Sequence, residues 1–114
     1  MKADPKPEPR RRDPDLLRIL HLQAHECALC GLVDSLELHH VYPRAQGGDD
    51  VRADIVVLCR SCHEGVTRNR TESRRELGEH LLAARWDVLD YLESKLGEEA
   101  AREWLARRLF VEQP

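Results

Sequence analysis

Two Cys-x2-Cys pairs, Cys27/Cys30 and Cys59/Cys62, separated by residues 31–58, constrain this chain more than any other feature. A knuckle of that length turns both sulfurs toward one centre about 2.3 Å away, and two knuckles complete a tetrahedron. Four soft thiolates suit zinc, and a site with four protein ligands has no open position, which makes it structural. The competing use of the cysteines is as disulfides or plain buried thiols. The stretch Met1 to Pro14 is charged and proline-rich, and no apolar run nears about 18 residues, so neither a secretory signal nor a membrane span is expected. That points to a cytoplasmic protein, in a reducing compartment where disulfides are rare.

A chain of 114 residues makes one small domain, or one domain with arms. Its aromatic side chains are two Trp, two Tyr and one Phe, so its core is thin and a metal would support it. The formal charge of -3, from 18 basic and 21 acidic groups, argues against a nucleic-acid clamp made by the whole molecule. It leaves room for a local basic patch.

Residues 1–12 read as a disordered arm: Pro5, Pro7 and Pro9 alternate with charges and run into Arg10, Arg11 and Arg12. Asp13 and Pro14 open a helix that puts Leu16, Leu17, Leu20 and Ala24 on one face and ends before Cys27. Leu36, Leu38 and Val41 mark a short strand with Glu37 and His39 on its other side. Pro43 to Asp50, with two adjacent Gly, is a loop, and the β-branched run from Ile55 to Leu58 is a second strand. A helix opens at the second knuckle and carries His63. From about Glu72 to Leu96 one apolar stripe (Leu77, Leu81, Ala84, Val88, Leu92, Leu96) predicts a single helix. Gly97 stops it, and a further helix follows from Glu98 to Phe110 with Ala101, Trp104, Leu105 and Leu109 inward. The expected organisation is an arm (1–12), a metal-stapled core (13–71) and a helical extension (72–114).

The residues between and after the knuckles read Leu36-Glu37-Leu38-His39-His40-Val41-Tyr42-Pro43-Arg44, then Gly47-Gly48-Asp49-Asp50, then Ile55-Val56-Val57-Leu58-Cys59-Arg60-Ser61-Cys62-His63. A His pair on a strand, a Gly-Gly-acidic loop, and a strand running into Cys-x2-Cys-His resemble the HNH endonuclease family in its zinc-stapled form. The resemblance covers about residues 25 to 70. It implies an α+β fold: a small ββα-metal core with four-cysteine knuckles, flanked by an N-terminal helix and C-terminal helices. It also implies cleavage of DNA phosphodiester bonds with one catalytic divalent metal, and an origin in bacteria or their viruses. By position, His40 matches the general base, while His39 and His63 match the ligands of the catalytic metal. Asp54 stands where the family has its central Asn.

Chemistry supports these roles. Imidazole, with an ordinary pKa near 6.5, suits proton abstraction from water at neutral pH. A divalent cation stabilises charge on the phosphate and the leaving oxygen. Two His ligands make a site that tolerates Mn²⁺, Ni²⁺, Co²⁺ or Zn²⁺ as well as Mg²⁺. Successive residues of an extended strand point to opposite faces, so His39 and His40 need a local twist to serve one site. Glu37, on the same strand face as His39, is either a partner that orients a His ring or a solvent-facing carboxylate.

Two departures matter. Ionised Asp54 accepts hydrogen bonds but donates none, unlike Asn. Thr67 stands where many relatives carry a third metal-binding His, so a metal with two protein ligands is expected. Arg44, Arg60, Arg68 and Arg70 are the candidates for nucleic-acid contact, with Arg74 and Arg75 nearby in sequence. His21 and His25, four apart, read as surface or packing residues, and Trp86 and Trp104 as core. A second reading stays open: a catalytically weak or inactive HNH-fold zinc module that binds nucleic acid or a protein partner. The helices from Glu72 onward offer a surface for such a partner or for self-association.

Overall fold

Asp13 starts the first helix as its sequence position predicts. Its carboxylate accepts the N–H of Leu16 at 3.1 Å, and Pro14 occupies the first turn, where a missing N–H does no harm. The computed structural model describes residues 11–110. In it, α1 (Pro14–Gln23) leads through the first knuckle to β1 (Leu36–His40), which pairs antiparallel with β2 (Ile55–Cys59). The register sets Leu36 opposite Cys59, His39 opposite Val56 and His40 opposite Ile55. Short 3-10 turns at Arg44–Gln46 and Arg52–Asp54 punctuate the connecting loop. Then come α2 (Arg60–Thr67), α3 (Thr71–Ala84), α4 (Trp86–Leu96) and α5 (Glu98–Arg108). The fold is α+β, a two-stranded hairpin surrounded by five helices, as expected. Among the described residues no helix is long and apolar enough to cross a membrane.

The stripe read as one helix from 72 to 96 is two. The backbone leaves helical geometry at Arg85 (φ -131°, ψ 58°), although no Gly or Pro marks the place. The Arg85 guanidinium donates to the carbonyls of Ile55 and Arg52, each at 2.8 Å, and to Asp87. A tertiary contact to the entry of β2 thus accompanies a break that local propensity does not encode. Leu77, Leu81, Val88 and Leu92 of the stripe are fully buried, but Ala84 lies exposed at the break. Trp86, expected in the core, is 70% exposed, its indole N–H donating to the Leu82 carbonyl.

The helices expected as an extension share one core with the hairpin: Val56, Leu58 and Val66 pack in the same cluster as Leu77, Leu81, Val88, Leu92, Ala101 and Leu109. Nonpolar burial is the dominant stabilising term in folding, so hairpin and helices stand or fall together. The arm expected over 1–12 lies outside the described residues except for its end, and that end is held. The Arg11 N–H donates to Asp49 Oδ1 at 2.7 Å, and the Arg11 carbonyl accepts the Asp50 N–H at 2.8 Å.

The Gly-Gly loop has a steric cause. Gly47 sits at φ +115°, open to glycine and strained for other residues. At Gly48 a Cβ would lie 1.9 Å from the Tyr42 carbonyl oxygen and 2.9 Å from Asp54 Oδ2. The loop is thereby folded down against the end of β1, which brings Asp50 beside His40.

Candidate functional site

The four cysteines converge as the spacing predicts. Cys27, Cys30, Cys59 and Cys62 place their sulfurs within 4.8 Å of one another, and all four are free thiols. The Cys30 and Cys59 sulfurs are 3.7 Å apart. That matches the edge of a tetrahedron built on metal–sulfur bonds of about 2.3 Å, roughly 3.8 Å. The knuckle is shaped by backbone bonds: the Cys27 N–H donates to the Leu32 carbonyl, and the Gly31 N–H to the Cys27 carbonyl. Cys59 caps α2, its sulfur accepting the Cys62 N–H at 3.4 Å. Burial raises the Cys27 thiol, but the backbone N–H groups of Cys59, Cys30 and Leu29 outweigh it and bring the group down to about 7. The donor set and its spacing therefore fit one tetrahedral, thiolate-bound ion.

His39 and His63 meet on one side of the hairpin, with ring centroids 5.0 Å apart and an interplanar angle of 71°. The first turn of α2 after the second knuckle carries His63 across to β1. Glu37, two residues before His39 on the same strand face, accepts a hydrogen bond from His63 Nδ1 at 2.9 Å. It also faces the Arg60 guanidinium at 3.4 Å. The His63 hydrogen bond, helped by Arg60, holds its carboxyl below the usual range. Of the two readings open for Glu37, the partner of a His ring is the observed one, and the ring is His63. His39 is buried, and desolvation, with the nearby His63 and His40, lowers it to about 3, so it is neutral at physiological pH.

His40 turns to the other face, as strand geometry requires, and the unbroken register through both residues lacks the local twist or bulge that the sequence predicts at the pair. Its Nε2 donates to Asp50 Oδ1 at 2.9 Å. Asp50 is only 1% exposed. Burial raises its carboxyl, but the Asp13 N–H at 2.9 Å, His40 and Arg44 outweigh that and keep it ionised. An ionised carboxylate only accepts, so the ring hydrogen sits on Nε2 and the lone pair on Nδ1. Desolvation keeps His40 below the ordinary imidazole value despite Asp50. Sequence reasoning misses this role of Asp50, seeing only a member of an acidic loop. Its neighbour Asp49 anchors the loop to α4, accepting from the Tyr91 hydroxyl at 2.7 Å and from Lys95 at 2.9 Å.

Asp54 is completely buried at the start of β2. Its Oδ1 accepts the Tyr42 N–H at 2.7 Å, and its backbone carbonyl accepts the Val41 N–H at 2.8 Å. It therefore fastens the chain just after the His pair, the accepting half of what an Asn would do. Its Oδ2 has no partner among the described residues, and burial pushes the group up to about 8. The unfolded chain releases this proton near pH 4 and the folded chain near pH 8, so stability falls as pH rises between those values. Asp54→Asn removes that dependence. We expect the variant to gain on the order of 3 kcal/mol over the parent at pH 8 and almost nothing at pH 4. Denaturant melts at the two pH values check this, and an equal gain at both would contradict it.

The remaining candidates are placed as follows. Arg44 lies 3.6 Å from Asp50 beside His40, and Arg60 lies beside Glu37 and His63. Arg68 pairs with Glu64 at 2.9 Å on the exposed side of α2, and Arg70 is exposed ahead of α3. The Thr67 hydroxyl donates back to the carbonyls of His63 and Glu64, so it is engaged with the helix backbone. His21 and His25 are exposed, consistent with their reading as surface residues.

A family model described as HNH endonuclease matches residues 27–69. Comparison with curated proteins and with solved structures gives no match. The matched span begins at Cys27 and runs through the hairpin and the whole of α2, so it contains both the cysteine group and the three histidines. With its strand-borne His pair, its Gly-Gly-acidic loop and its four convergent thiols, the segment from Cys27 to Asn69 is similar to the HNH endonuclease family that this model describes.

Proposed function

We propose that this protein is a metal-dependent endonuclease that hydrolyses DNA phosphodiester bonds, with His40 as general base and a divalent metal held by His39 and His63. The observation that carries the reading is the division of labour between the histidines. Two imidazole rings meet on one side, one of them oriented by Glu37, and the third is held by an ionised Asp50 with its lone pair free.

The chain's own groups give the order of events. Glu37 accepts a hydrogen bond from the Nδ1–H of His63, leaving Nε2 of that ring as the nitrogen available for a metal. His39, neutral through burial, offers a second nitrogen. A divalent ion bound there supplies positive charge to the phosphoryl and leaving oxygens. His40 takes the proton of the attacking water on Nδ1, and Asp50 stabilises the imidazolium that forms. Arg44 beside His40 and Arg60 beside His63 are suited to hold the phosphate backbone in register, and Arg68 and Arg70, exposed after α2, are further candidates for phosphate contact. The imidazole pair of His39 and His63 would suit Ni²⁺ or Zn²⁺ and would tolerate Mn²⁺ or Mg²⁺. The cysteine group, with no open position, takes zinc as a staple and leaves the chemistry to the second ion.

The test is plasmid nicking by purified protein with Mg²⁺, Mn²⁺ or Ni²⁺ added singly. Metal-dependent conversion of supercoiled to nicked DNA supports the enzyme. One observation favours a second reading: the buried Asp54 carboxyl, where an Asn would be neutral at every pH, weakens the loop that carries Asp50. A module that binds DNA without cutting it would show affinity in the same assay and no nicked product under any metal.

A further inference from the structure

The C-terminal helices lie outside the matched family segment, yet they line the open side of the His39 site. A cleft of about 180 Å³ runs from His39 past Asn69 and Arg74 to Trp104 and Arg108. It adjoins a wider opening of about 470 Å³, lined by Gln46, Asn69, Arg74, Trp104, Arg107 and Arg108. Among the described residues no carboxylate lines either space, although the chain as a whole carries a charge of -3. Three arginines are gathered there against the overall balance.

Arg74 explains how they are gathered. From α3 its guanidinium donates to the carbonyls of Arg107 and Arg108, satisfying the orphan acceptors at the end of α5. Main-chain carbonyls do not neutralise the side chains of Arg107 and Arg108, and neither has a carboxylate partner among the described residues. The Arg108 guanidinium stands 6.0 Å from the centroid of the Trp104 ring, which Tyr42 holds edge-on at 5.6 Å. Like charges that line one cleft repel one another, and an anion bound in it relieves the repulsion.

We propose that this cleft binds the DNA strand next to the scissile phosphate, with Arg107 and Arg108 on a neighbouring backbone phosphate and Trp104 as the floor against which the nucleotide lies. The proposal rests on the nuclease reading for its substrate, and on the cleft alone for its residues. The C-terminal helices are then part of the DNA-binding surface, adding phosphate contacts that the hairpin does not provide.

The experiment measures binding of a labelled DNA duplex by the full zinc-loaded chain carrying His40→Ala, without added divalent metal, across a range of salt. Removing one phosphate-binding side chain lowers the slope of log K against log salt by about 0.9. Adding Arg107→Gln and Arg108→Gln together is expected to lower the slope by about 2 and the affinity by about tenfold at low salt. Arg102→Gln serves as the control. Its residue lies about 200° round α5 from Trp104 by helical geometry and pairs with Glu98, and its slope should stay that of the parent. Melting curves confirm that the variants remain folded. A double variant with the parent's slope and affinity overturns the proposal, as does an equal loss with Arg102→Gln or a parent that binds no duplex. The two readings separate cleanly. A wild type that never nicks while the double variant loses affinity removes the nuclease and keeps the cleft. A wild type that nicks while the double variant binds normally does the reverse.

Discussion

Replacing Cys59 with serine is expected to abolish cooperative thermal unfolding, leaving a chain without a folded hairpin. Cys59 serves the structure in three ways. It belongs to the four-sulfur group, ends β2 opposite Leu36, and caps α2 through its sulfur. It is 1% exposed, so a serine hydroxyl left there without a metal would be buried and poorly satisfied. A structural zinc site contributes about 10–16 kcal/mol in small metal-dependent domains, whereas a typical domain is stable by only about 5–15 kcal/mol in total. Loss of the ion therefore exceeds the reserve, the more so in a core this poor in aromatic residues. Circular dichroism melts with metal analysis check this. The wild type should hold zinc and lose its transition when chelator is added, as the variant does without chelator. A metal-free wild type with an unchanged melt would show that hydrophobic packing alone sustains the hairpin.

His40→Ala is expected to slow phosphodiester cleavage by about 10²–10⁴-fold, the usual contribution of a positioned general base. The prediction follows from the Asp50 contact, which leaves one defined ring nitrogen free to accept a proton. Because His40 lies across the strand from the His39–His63 pair, its loss should leave metal affinity close to that of the wild type, while the melting temperature falls as the buried Asp50 carboxylate loses a hydrogen bond. Initial nicking rates at saturating metal, compared with DNA affinity measured separately, check it. A variant whose rate falls only in proportion to its affinity would assign His40 to binding and not to proton transfer.

What could be read from the sequence was carried by short, fixed spacings. Two residues between cysteines and two adjacent histidines on a strand specify local geometry almost by themselves, and the hairpin with its four convergent cysteines followed from them. The partnership of Glu37 with His63 was half legible: period-two alternation put Glu37 on the right face, but only the fold chose between the two rings. Asp50 was visible as an acid after two glycines, yet its contact with His40 depends on the loop being folded down at Gly48. Asp49 meets Tyr91 and Lys95 across 42 and 46 residues, and no local pattern encodes such a contact. The break at Arg85 was hidden for the same reason, since its guanidinium reaches carbonyls about thirty residues away, at Ile55 and Arg52. Proximity in sequence singled out Arg68, whose guanidinium pairs with Glu64 on the exposed side of α2, but could not show that Arg107 and Arg108 arrive at the His39 cleft from the far end of the chain.

The central claim is that His39 and His63 hold a second ion, distinct from the one among the cysteines, and that cleavage depends on it. The most direct test is the cleavage rate as Mn²⁺ is titrated into zinc-loaded wild type and into His63→Ala. The account predicts that the variant keeps its zinc and its melting temperature, yet loses at least about 100-fold in rate or requires far more Mn²⁺ to recover it. Equal rates at equal Mn²⁺ in both proteins, or no cleavage by zinc-loaded wild type at any concentration of Mg²⁺, Mn²⁺ or Ni²⁺, would contradict it.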